Sequence, residues 1–99
     1  MKRDSDASRR VLLIEPRCRV CRSEHGVQVH HIVPRRITQC DESQNLVPLC
    51  QICHGLVHDH KLDLLGALTA AEQASAVLLT GSIESARMLL CPSAYRVAA

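Results

Sequence analysis

Two cysteine knuckles constrain this chain more than any other feature. They are Cys18-Arg19-Val20-Cys21 and Cys50-Gln51-Ile52-Cys53, and 28 residues separate them. A two-residue spacer lets both thiolates of a knuckle reach one ion, so the pair offers the four soft ligands of a tetrahedral zinc site. One such knuckle is weak evidence, because redox motifs share it. Two together point to structural Zn²⁺ held by Cys18, Cys21, Cys50 and Cys53, with a pair of disulfides or an unmetallated thiol cluster as the plain alternative. Size supports the metal. The chain has 99 residues, no Trp, no Phe and one Tyr, so its core lacks large rings. In a chain this short, apolar burial and chain entropy nearly cancel, and a further staple is needed. Zinc binding is worth on the order of 10 kcal/mol and contributes directly to folding in small domains. Cys40 and Cys91 lie outside the pattern and read as ordinary small apolar or surface thiols.

The start of the chain is basic, and its apolar stretch Val11-Leu12-Leu13-Ile14 is short. A secretory signal needs an apolar region of about 7–15 residues. The expected compartment is therefore intracellular (cytoplasmic), where thiols stay reduced and metal binding is favoured over disulfides. No apolar run approaches the roughly 18 residues that span a bilayer, so no membrane role is expected. The composition is too apolar for a disordered chain, with 46% hydrophobic residues. A single aromatic argues against a stacking platform for single-stranded nucleic acid.

Charge is unevenly spread. Residues 1–36 hold nine Lys or Arg against four Asp or Glu, whereas residues 37–99 hold three against six. The basic part is rich in arginine: Arg9, Arg10, Arg17, Arg19, Arg22, Arg35 and Arg36. Arginine suits bidentate contact with phosphate, although a charge run by itself reads more readily as a solvated surface.

The expected fold class is small α+β. Residues 1–10 read as a polar basic arm, and 11–99 as one domain with a core at about 18–61 and a helical tail at about 69–91. Residues 11–14 fit either a short strand or a helical turn. Alternation and β-branching predict a strand over 27–33, ended by Pro34. Residues 37–45 read as a polar loop. A second strand is predicted at 46–49, where Pro48 is tolerable at an edge, and a helix at about 51–61. In the tail, Thr69-Ala70-Ala71-Glu72 fits a capping box. Gly81 is a natural stop. Ser82 caps a further helix at roughly 83–91, ended by Pro92. The tail helices are expected to pack on the metal-bound part.

The long gap between the knuckles holds a polar constellation. His30 and His31 end the first predicted strand, Asn45 precedes the second, and His54 and His58 lie one helical turn apart. Positions i and i+4 share a helix face, so His54 and His58 can bind one ion together. Cys53 and His54 are about 100° apart around the helix and can face two different metals. With His30 they provide ligands for a second site near the zinc. His25 and His60 read as ordinary surface histidines.

These blocks resemble the HNH endonuclease family: Cys18-x2-Cys21, His30-His31-Ile32-Val33-Pro34, Asn45-Leu46-Val47-Pro48-Leu49-Cys50 and Cys53-His54-x3-His58. The resemblance covers residues 18 to 58, about two-fifths of the chain. It implies a ββα-metal fold (also called the His-Me finger), stapled here by the four-cysteine zinc and followed by C-terminal helices. It implies that His30 and His54 bind a catalytic divalent ion (Mg²⁺, Mn²⁺, Ni²⁺ or Zn²⁺), with His58 a further ligand in some members. His31 would activate water and Asn45 would brace the loop between the strands. The implied partner is double-stranded DNA, cut to leave 5′-phosphate and 3′-hydroxyl ends. One departure stands out. Many relatives have a Gly-rich loop after the His-Ile-x-Pro block, and this chain has Arg35-Arg36-Ile37-Thr38-Gln39-Cys40.

The chemistry is consistent with that resemblance. Phosphodiester hydrolysis needs an activated nucleophile, charge neutralisation on the phosphoryl oxygens and a stabilised leaving group. A neutral imidazole can take a proton from water at neutral pH, and one divalent ion can polarise the phosphate. Arg35 and Arg36 follow the His pair and read either as grips on flanking phosphates or as solvated surface. The competing reading is a non-catalytic zinc module that binds DNA or protein. Such a module has no need for two adjacent imidazoles. A RING-type arrangement fits poorly, since its alternating Cys/His order is absent. The biological setting (phage, mobile element or restriction) is not encoded by any single residue.

Overall fold

A computed structural model describes residues 5–95 of the chain. Among these, the order is helix α1 (Ser5–Ile14), strands β1 (Gln28–His31) and β2 (Leu46–Leu49), then helices α2 (Gln51–His58), α3 (Ala70–Thr80) and α4 (Ile83–Leu90). Short 3-10 turns precede β2 and α3 and follow α4. The protein is a small α+β structure with one two-stranded antiparallel sheet.

Helix α1 corrects the reading of the start of the chain. Residues 5–10 are not an arm, and the boundary placed between 10 and 11 falls inside a helix; residues 1–4 lie outside the described residues. Ala7 is buried at 2% exposure, and Ser8, Val11, Leu12 and Glu15 are half-buried beside it. Those positions form one helical stripe. The charges that suggested an arm occupy the other face, where Arg9 and Arg10 are exposed.

The hairpin pairs Gln28 with Leu49, Val29 with Pro48, His30 with Val47 and His31 with Leu46. Strand β1 is shorter than the apolar pattern predicts, because the ladder is taken over by one side chain. Ile32 donates its N–H to the Asn45 carbonyl at 2.8 Å, but Val33 donates to the Asn45 side-chain oxygen, also at 2.8 Å. Pro48 occupies β2 without disrupting it, and its carbonyl accepts the Arg19 N–H at 2.9 Å. That bond ties the first knuckle to the sheet. Within the knuckle, Arg22 N–H closes on the Cys18 carbonyl and Arg22 takes a left-handed φ of 66°. Gly26, at φ 62°, turns the chain where a Cβ would lie 3.3 Å from Gln51 Cβ. A side chain there would push the hairpin away from α2.

Cys50 caps α2: its sulfur accepts the Cys53 N–H at 3.4 Å. The helix ends earlier than the spacing predicts because His60 is left-handed, at φ 56°, and Lys61 N–H returns to the Leu56 carbonyl. The tail follows expectation. Thr69 and Glu72 form a reciprocal capping box, Gly81 ends α3 with φ 94°, and the Ser82 hydroxyl caps α4.

One buried cluster joins both halves of the chain. It contains Cys18, Ile32, Val33, Val47, Leu49, Cys50 and Cys53 together with Leu64, Leu68, Ala76, Ala86 and Leu90 from the tail. Leu64 N–H donates to the Leu90 carbonyl at 2.8 Å, locking the linker after α2 to the end of α4. Arg19 supplies a second clamp. Its guanidinium reaches Glu15 at 2.6 Å and Glu72 at 2.7 Å, and donates to the Ala67 carbonyl at 3.1 Å. Burial pushes the Glu72 carboxyl up, but Arg19 and the Thr69 amide outweigh it and hold the group low. This arginine therefore joins α1, the first knuckle and α3, and is not a surface phosphate contact. Arg17 is also paired, with Glu24 at 3.2 Å, although both remain exposed.

Candidate functional site

Among the described residues, two clusters bring metal-ligating atoms within 4.8 Å of one another. The first is Cys18, Cys21, Cys50 and Cys53. Its positions follow from the local structure: Cys18 and Cys21 bracket a turn anchored to β2, while Cys50 and Cys53 lie on the cap and first turn of α2. Cys18, Cys50 and Cys53 are buried, Cys21 is exposed, and all four are free thiols. Cys21 and Cys50 sulfurs stand 3.5 Å apart. That is close to the separation of about 3.8 Å set by a tetrahedron with Zn–S bonds of roughly 2.3 Å. Burial pushes the Cys18 thiol up, yet the backbone amides of Cys21, Cys50 and Val20 outweigh this and bring it down to about 6. Burial and the neighbouring sulfurs push Cys53 well above the ordinary thiol range. Four crowded sulfurs cannot all ionise beside one another without a cation; a bound zinc removes that conflict. Donor type and spacing both fit zinc.

The second cluster is His30, His54 and His58. His30 comes from β1 and is buried at 8% exposure. His54 is half-buried and His58 exposed, both on one face of α2. Their Nε2 atoms face each other at 3.1 Å. The His30 ring stands edge-on to both, with centroids 5.1 Å from His54 and 5.9 Å from His58. Desolvation, reinforced by the other imidazoles, lowers the His30 pKa to about 4. Burial and then His58 lower His54 as well. Both rings are thus held neutral, the form that ligates metal. Cys53 and His54, adjacent in sequence, serve the two clusters from adjacent faces of α2.

His31 has a partner of its own. Its Nε2 lies 2.8 Å from Oδ1 of Asp41, and both side chains are largely buried. Arg35 approaches the same carboxylate oxygen at 3.5 Å. Asn45 is 1% exposed and uses its amide fully. It accepts from Val33 N–H and donates to the Val33 carbonyl at 3.2 Å and to the Cys40 carbonyl at 2.8 Å. A groove of about 190 Å³ is lined by Val29, His30, His31, Pro34, Arg35, His54 and His58. Arg36 lies on a different hollow, beside His30, His58 and His60. The two arginines therefore flank the imidazoles from separate sides.

Asp41 is not legible as a site residue in the sequence. It sits in the polar loop 37–45, ten residues from its partner, and no periodicity or motif spacing marks it. An acidic residue in the connection after a histidine pair is the only cue.

Residues 18–60 match the family described as HNH endonuclease. No curated protein and no solved structure matches the chain. The matched segment holds both ligand clusters, the His30–His31 pair and Asn45.

Proposed function

We propose that this HNH domain is a metal-dependent endonuclease that hydrolyses phosphodiester bonds of double-stranded DNA inside the cell. One observation carries the reading: His31 and the rings of His30, His54 and His58 line a single groove together with Arg35. The four cysteines hold a structural zinc, and His30, His54 and His58 hold a catalytic divalent cation. When bound, that cation supplies Lewis acidity at a phosphoryl oxygen and stabilises charge on the departing 3′ oxygen. An all-imidazole donor set suits Zn²⁺ or Ni²⁺ better than oxygen-seeking Mg²⁺ or Mn²⁺.

The chain's own residues perform the remaining steps. Neutral His30 and His54 keep their lone pairs available at neutral pH. His31 takes a proton from water: an O–H bond breaks and an N–H bond forms on the ring. The oxygen so released attacks phosphorus as the bond to the 3′ oxygen opens, and that oxygen takes up a proton from solvent. The products carry a 5′-phosphate and a 3′-hydroxyl. A positioned base of this kind is worth about 10²–10⁴ in rate. Asn45 braces the loop between the strands, supported by its three bonds to backbone groups. Arg35 and Arg36 contact phosphates on either side of the scissile bond.

The test is cleavage of supercoiled plasmid by the full chain with Mn²⁺, Ni²⁺, Zn²⁺ or Mg²⁺ added. Wild-type protein is expected to nick or linearise it. His31→Ala is expected to lose about 10²–10⁴ in rate while retaining zinc and its melting temperature. Intact plasmid with every ion, despite retained DNA binding, would replace this reading with a non-catalytic zinc module.

A further inference from the structure

We infer that Asp41 is a positioning residue that sets the tautomer of His31, so that Nδ1 and not Nε2 is the atom that receives the proton from water. The inference rests on the base role proposed for His31. Three observations meet at this carboxylate. Its Oδ1 lies 2.8 Å from His31 Nε2, within the range of a strong hydrogen bond. Both side chains are more than four-fifths buried, at 16% and 17% exposure, so water competes weakly for either partner. Arg35 sits 3.5 Å from the same oxygen, a cation that favours the carboxylate in its charged, acceptor-only form.

A carboxylate can only accept. Nε2 must therefore carry the hydrogen, and Nδ1 is left as the ring's lone-pair nitrogen. When Nδ1 takes the proton, a water O–H bond breaks, an Nδ1–H bond forms, and the ring becomes a cation with both nitrogens protonated. Asp41 keeps its charge and stabilises that cation; no proton moves to it. The backbone beneath is fixed by the same asparagine that ends β1. Asn45 donates to the carbonyl of Cys40, the residue immediately before Asp41. Asn45 therefore joins Val33, two residues past His31, to the loop that delivers the carboxylate. The loop after the His30–His31 pair thus completes the site with a side chain acting from a distance.

The experiment uses the full zinc-loaded chain and two independent readouts. The first is the long-range ¹H–¹⁵N NMR signature of the His31 ring. Wild type is expected to show the hydrogen on Nε2, and Asp41→Ala a mixture of tautomers. The second is plasmid cleavage under the best metal. Asp41→Asn, nearly isosteric and expected to keep the wild-type melting temperature, should lose about 10–100-fold in kcat with KM unchanged. Asp41→Glu should recover part of that loss. The loss should vanish in a His31→Ala background, because the two groups act as one unit. A wild-type ring protonated on Nδ1, or an Asp41 effect that persists without His31, would overturn the inference. If the tautomer depends on Asp41 and yet neither wild type nor variant cleaves DNA, the positioning stands and the nuclease reading fails.

Discussion

The four thiols and the three imidazoles share helix α2 but differ in coordination and burial. The thiol cluster supplies four ligands, the number that closes a tetrahedral ion. Three of its members belong to the buried cluster shared with the tail helices. The imidazole cluster supplies three ligands graded from buried His30 to exposed His58, and it opens onto a groove. A closed set in the core can only stabilise. An incomplete set at the surface has coordination positions left for a phosphate oxygen or water. A single helical step from Cys53 to His54 separates the two clusters. On the proposed reading one rigid element would couple a folding site to a chemical one, and a functional site on such an element is held more firmly than one on a loop.

The largest effect is expected from breaking the closed site. Cys50→Ser removes a ligand and the sulfur cap of α2 together. Zinc content should fall to near zero and the cooperative thermal transition should disappear from circular dichroism. A variant that melts like wild type would remove the distinction between the two clusters. A smaller effect is expected at the open site. His54→Ala should leave the fold and one equivalent of zinc intact, while calorimetric titration shows the second metal site weakened by at least tenfold. His58→Ala should weaken it less, because that ring is exposed and loses more order on binding. Equal losses would indicate that burial does not grade the ligands.

The smallest effect concerns acid. The folded His30 pKa is lowered to about 4, below the unfolded value near 6.5. Between these values the unfolded chain binds the extra proton, so stability is fully present above about pH 6.5 and falls as pH drops towards 4. The loss should be on the order of 3 kcal/mol at most, measured by urea unfolding with the imidazole site free of metal. His30→Asn should flatten this slope, whereas the steeper acid sensitivity due to the thiol cluster should remain. An unchanged slope would place the effect elsewhere.

Legibility in the sequence tracked the range of the interaction. Strand β2 and the Thr69–Glu72 box were readable because neighbours along the chain determine them. Helix α1 was not, since its buried stripe is centred on Ala7 and Val11, which signal little until the hairpin they cover is present. Arg19 looks in the sequence like part of a basic surface for a similar reason. One of its two carboxylate partners, Glu72, lies 53 residues away.

Local spacing thus marked each cysteine knuckle and the His54–His58 pair as candidate metal ligands. A two-residue gap in a knuckle and a four-residue gap on a helix bring those side chains together, whereas joining the two knuckles, and His30 to α2, takes the fold. Only the tertiary structure decided which partners the two adjacent histidines meet. His30 meets two more imidazoles on α2 and His31 meets Asp41 on the loop, while both rings line one groove. Which chain segment reaches which ring is decided by packing between residues distant in sequence, and no spacing rule along the chain records it.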